Sequence, residues 1–176
     1  MTARDVAEWV GFQVVWLACA LGAAQGDGRP GVVAAVVYVA AALAMRGWPR
    51  SMLIVVSVST AAGMVAETAL VALGLIRHVA TWPLAGLAPA WIVALWFAFG
   101  VTVDSMARML SGRPLLVQAL VGFVFGPLAY WAGARLGALT LGTPEVVAIA
   151  ATGVVWALAL PVLLRLYVRL SSPKQA

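Results

Sequence analysis

The chain has one cysteine, one histidine and little charge. Only 10% of its 176 residues are Asp, Glu, Lys or Arg, against about 25% in an ordinary soluble domain. A lone Cys19 excludes an intrachain disulfide framework and a zinc site built from cysteine pairs, and a lone His78 excludes a histidine cluster. There is no Gly-rich phosphate loop of P-loop type and no Ser/His/Asp set. ATP-driven transport and triad hydrolysis are therefore not expected, and neither is a cofactor or a metal.

What the chain has in abundance is apolar surface: 64% of its residues are hydrophobic. That composition excludes a water-soluble globule, and the net charge of +5 fits membrane topology better than nucleic-acid binding. A span needs roughly 20 mainly apolar residues. Six stretches qualify, at about Val6–Ala24, Pro30–Gly47, Met52–Leu75, Leu84–Val103, Leu115–Ala138 and Pro144–Leu170. The connectors are short, so residues 1–176 form one transmembrane domain, an all-α polytopic bundle. Gln25–Gly28, Trp48–Ser51 and Gly112–Pro114 punctuate the spans. Thr143-Pro144-Glu145 reads as an N-cap, a first-turn proline and an acid that suits the helix dipole. Pro89, Pro127 and Pro161 fall inside their spans and are expected to kink them.

The basic residues sort by side. Arg4, Arg46, Arg50, Arg108, Arg113, Arg165, Arg169 and Lys174 fall on one side, and Arg29, Arg77 and Arg135 on the other. The positive-inside rule then places both termini in the cytoplasm, as six spans require. Ten arginines against one lysine hint at a GC-rich bacterial genome, hence a bacterial inner membrane. The first stretch reads as an ordinary span and not a cleaved leader, because Asp5 and Glu8 sit in its amino-terminal region.

Small residues mark packing faces. Gln118, Gly122, Gly126, Ala129, Gly133 and Gly137 recur at spacings of three or four, and such faces let helices approach closely in lipid. They serve packing within one chain or, in the alternative, a homodimer through Gly122, Gly126, Gly133 and Gly137. Thr60–Val65 and Ala150–Val155 are faintly alike, as an inverted three-plus-three repeat would require, but chance similarity of Ala/Val-rich spans explains the match better.

Glu67 is the most informative residue. A carboxyl group inside a span costs about 2–3 kcal/mol on insertion scales and by default points to function. It is either protonated or paired with a cation, for which Arg135 and Arg77 are the candidates. Counting depth from the span ends puts Trp16, Tyr38, Trp91, Tyr130 and Trp131 near its level. An acid ringed by aromatics suits a cationic guest or a developing carbocation; an interfacial aromatic belt is the alternative. Asp104 and Arg108, spaced i,i+4, read as an interfacial ion pair. Cys19 reads as a packing residue, and His78 as a solvated residue of an outer connector.

Three segments carry a resemblance: Phe12-Gln13-Val14-Val15-Trp16 with Cys19, Pro89–Phe99, and Gly126–Gly137. Together they resemble a family of small bacterial inner-membrane proteins, the domain of unknown function 2878. The resemblance implies a short polytopic membrane protein and supplies no active site.

Three functions remain open from the sequence, and whether the chain is an enzyme is one of the open points. The first is handling of a lipid or isoprenoid-like apolar ligand, with Glu67 as acid or base and the aromatics as the pocket. The second is proton-coupled transport of cationic amphiphiles. The third is a non-catalytic accessory or assembly subunit. Membrane lipids are the expected partners in each, and nucleic acid in none.

Overall fold

Proline and glycine set the helix boundaries. The computed structural model describes residues 3–172, so Lys174 of the charge count lies outside the described residues. Six helices follow in order: α1 (Ala3–Ala24), α2 (Arg29–Ala44), α3 (Arg50–Ala72), α4 (Ala90–Leu110), α5 (Leu115–Arg135) and α6 (Glu145–Ser171). Prolines 49, 89, 114 and 144 sit immediately before α3, α4, α5 and α6, where a missing N–H costs nothing.

The fold is all-α, as expected, with one short antiparallel ribbon of β1 (Ile76–His78) and β2 (Leu139–Leu141) between helices. Several expectations need correction. Five helices, not six, are long and apolar enough to cross a membrane. The exception, α2, has 16 residues, a length of ~24 Å at 1.5 Å per residue, which falls short of a ~30 Å hydrocarbon layer. The fourth stretch does not begin at Leu84. Residues 79–89 form a loop, since Pro83, Gly86 and Pro89 deny it a helical start, and Pro89 caps α4 instead of lying inside it. Thr143 makes no cap; Pro144 holds that position without a side-chain hydrogen bond. Pro127 and Pro161 do lie inside α5 and α6.

The central element is α4. Its sequence is apolar on every face up to Asp104, and a helix of that kind belongs in a core. It packs on α1, α2, α3 and α6, while α5 lies outside against α6. Cys19 is buried where Gly31 of α2 lets the backbones of α1 and α2 approach. In the α1–α2 turn, Asp27 accepts from the side chain and the backbone N–H of Arg29. Those bonds hold its carboxyl below the usual carboxylate range.

An internal repeat organises the rest. Helix α3 with β1 and α4 matches α5 with β2 and α6, aligning Arg50 with Arg113, Gly63 with Gly126, Leu73 with Leu136 and Gly74 with Gly137. Gly74 and Gly137 both have positive φ, +69° and +86°, the left-handed conformation that ends a helix. The turns close with the same bonds, Leu75 N–H to Leu70 O at 2.9 Å and Ala138 N–H to Gly133 O at 3.0 Å. The strand ends exchange equivalent bonds, Val79 N–H to Ala138 O at 3.0 Å and Gly142 N–H to Leu75 O at 2.8 Å. The register is symmetric about the Arg77–Thr140 pair. Gly63 lies against the Trp96 ring and Gly126 against the Trp156 ring. Those two indoles stack on each other at 4.3 Å with 14° between their planes. The two units meet at the β ribbon and at the Trp96–Trp156 stack. The faint match of Thr60–Val65 to Ala150–Val155 is not part of it.

Candidate functional site

Glu67 faces inward from α3 and is fully buried. Its repeat-equivalent on α5 is Tyr130, whose hydroxyl donates to Glu67 Oε1. Trp96 of α4 donates to the same oxygen from Nε1 at 3.1 Å. The other oxygen, Oε2, has no hydrogen bond and lies 3.8 Å from Nε2 of His78. The imidazole is brought there by β1, whose alternation buries Ile76 and His78 and exposes Arg77. Trp91 meets the imidazole edge-on at 5.2 Å, and its own Nε1 is satisfied by Ala80 O at 3.2 Å. Neither ring nitrogen of His78 has a hydrogen-bond partner, and Trp156 Nε1 also lacks one.

The partner of Glu67 therefore differs from both sequence candidates. Arg135 is exposed, with its guanidinium 5.9 Å from the centre of the Trp131 ring. Arg77 points away from the core on the strand face opposite His78. His78 is not a solvated connector residue, because the two-residue period of β1 turns it under Trp91. The five aromatics also separate. Tyr130 and Trp91 belong to the Glu67 centre. Trp16 is half-buried against the core, Trp131 is 46% exposed, and the Tyr38 hydroxyl donates to Glu8 O at 3.1 Å. Trp96, which the depth count left out, takes a direct bond.

Gly122 and Gly126 are occupied within the chain by Trp156 of α6, and Gly133 faces Leu139 at 3.6 Å. Gly137 serves the turn into β2.

A second buried polar centre closes the opposite end of the bundle. Asp104 and Arg108 form their i,i+4 pair on α4, but the pair is part of a larger set. Arg108 also pairs with Asp5, and Arg46 pairs with Glu8 and lies 3.6 Å from Asp104. Arg4 reaches Glu8 at 3.0 Å, and Tyr167 donates to Asp104 at 2.8 Å. Three acids face three arginines, so the set is neutral, and it clamps the start of α1 to the ends of α2, α4 and α6. Both ends of the helical chain lie at this end of the bundle. Asp5 and Glu8, i and i+3 on one face of α1, were the available signal for it.

Chemically, the Glu67–His78 pair can hold zero, one or two protons. With one proton the centre is neutral; losing it or gaining another leaves a net charge in a buried site, where Coulomb energies are several times those in water. Among the described residues no group of three metal-ligating side chains occurs.

A helical bundle with five helices long and apolar enough to cross a membrane and a polar centre sealed inside it is consistent with a membrane protein. The chain belongs to the family described as protein of unknown function (DUF2878), whose model matches residues 5–162. No curated protein and no solved structure matches it.

Proposed function

We propose that the protein is a proton-coupled transporter of the bacterial inner membrane, with Glu67 and His78 as the proton-binding centre and cationic amphiphiles as the exchanged class. The observation that carries this reading is the buried carboxylate facing an imidazole that has no hydrogen-bond partner, placed where two repeats meet. Transporters built from repeats hold their coupling groups at that kind of interface. The faces of Trp91, Trp96, Tyr130 and Trp156 supply the surface that attracts an organic cation. Parting of the repeats along the Trp96–Trp156 stack would admit it, and deprotonation of the pair would leave the negative charge that binds it. The arginine distribution supports cytoplasmic termini, which puts β1 and β2 at the outer face. The lipid or isoprenoid enzyme has less support, because Trp16, Tyr38 and Trp131 do not converge on Glu67. An accessory subunit would need Glu67 only as an acceptor for Trp96 and Tyr130, which gives no reason for the unpaired Oε2 beside His78.

The test is proton movement in liposomes carrying the purified protein and a trapped pH dye. An imposed ethidium gradient is expected to drive counter-movement of protons in wild type. Glu67→Gln keeps an acceptor for Trp96 and Tyr130 but not the charge, so the flux should fall at least about tenfold while the protein still folds. Wild-type liposomes that match empty ones, or an undiminished flux in Glu67→Gln, would sink the proposal.

A further inference from the structure

The end of the bundle that carries the ion-pair set has a second feature, on the outer side of α5 and α6. Arg113, in the turn before α5, and Arg165 and Arg169, one turn apart on α6, line an open cleft of about 310 Å³. All three are exposed. Among the described residues none of them has an acidic partner, unlike Arg4, Arg46 and Arg108. Tyr167, between the two α6 arginines in sequence, turns the other way to reach Asp104.

The cleft is amphipathic. Leu115 and Val168 contribute exposed apolar wall beside the guanidinium groups. At its base lies Gln118, only 5% exposed. Its Nε2 donates to Leu110 O at 3.1 Å and Arg113 O at 3.0 Å, which fixes the amide orientation. That leaves Oε1 buried with no partner. The first N–H groups of α5 open at the same place and favour a negative charge.

We propose that this cleft binds the headgroup of an anionic phospholipid. The phosphodiester takes the three arginines, and an acyl chain lies along Leu115 and Val168. Basic pockets between helices at the membrane boundary recognise lipid phosphates in this way. A free phosphate would satisfy the arginines but would leave the apolar wall bare.

Native mass spectrometry of the full chain, exchanged from detergent into mixed lipid, tests the site. The probes are phosphatidylglycerol, phosphatidylcholine and inorganic phosphate. Wild type is expected to retain phosphatidylglycerol about tenfold more than phosphatidylcholine. Arg165→Gln/Arg169→Gln should lose that retention, and Arg165→Lys/Arg169→Lys, a variant that keeps the charge, should recover part of it. Equal retention of phosphatidylglycerol and phosphatidylcholine by wild type would overturn the proposal without recourse to any variant. Displacement of the lipid by millimolar inorganic phosphate would identify a free-anion site and overturn the lipid assignment. Unchanged retention in the Gln variant would place the lipid elsewhere.

Discussion

Replacing Gly126 by leucine is expected to destabilise the protein by about 3 kcal/mol or more, at or beyond the upper end of overpacking costs. A Cβ at Gly126 would fall closer than 3.0 Å to ring atoms of Trp156. The ring has nowhere to go: it is stacked on Trp96 and met edge-on by Phe99 at 4.8 Å. Gly63→Leu should do the same to Trp96, whose position is fixed further by its bond to Glu67. The control is Gly112→Leu, since a Cβ there meets nothing within 4 Å. Thermal denaturation of the purified variants in detergent reads the difference. Loss of stability in both core variants but not in Gly112→Leu is the expected pattern, and a wild-type melting curve for Gly126→Leu would contradict the repeat packing.

Arg46→Ala is expected to cost about 3–5 kcal/mol, the range for removing one partner of a buried ion pair. The Arg46 side chain is only 4% exposed, pairs with Glu8, approaches Asp104 and donates to Ala42 O at 2.9 Å. Its removal leaves three buried acids facing two arginines. Arg46→Lys keeps the charge but not the branched reach to Glu8, Asp104 and the carbonyl, so it should fall between wild type and alanine. The same denaturation measurement decides. Equal stability of Arg46→Ala and wild type would mean that the ion-pair set does not clamp the helix ends.

Much of the architecture is legible in the sequence because its signals are local. The apolar runs locate the helices, and prolines and glycines end them within a few residues. The parts that escape depend on contacts between distant segments. A three-residue strand such as Ile76–His78 is too short for its period to stand out, so His78 reads as a connector residue. Arg135 reads as a partner for Glu67 on depth alone, but an arginine at a helix end is satisfied by water and an aromatic face, and it has no reason to enter the core. Depth counting places aromatics at a level without giving their rotation about the helix, which is why Trp131 and Tyr130, adjacent in sequence, have opposite fates. The repeat was present in the paired Arg50/Arg113, Gly63/Gly126 and Gly74/Gly137, but it is a repeat of helix, strand and helix. A comparison of whole three-span halves does not find it. Asp5 and Glu8 were visible as acids at the start of a span, and their pairing with Arg108 of α4 and with Arg46 in the turn after α2 was not.

The central claim is that Glu67 and His78 form a buried centre that takes up and releases a proton. Infrared difference spectroscopy of the reconstituted protein across a pH step tests it most directly, through the carbonyl stretch of a protonated carboxylic acid. The account predicts a band in wild type that changes with pH, disappears in Glu67→Gln and shifts in His78→Gln. Identical difference spectra for wild type and Glu67→Gln would contradict it, and would leave Glu67 as a fixed acceptor for Trp96 and Tyr130.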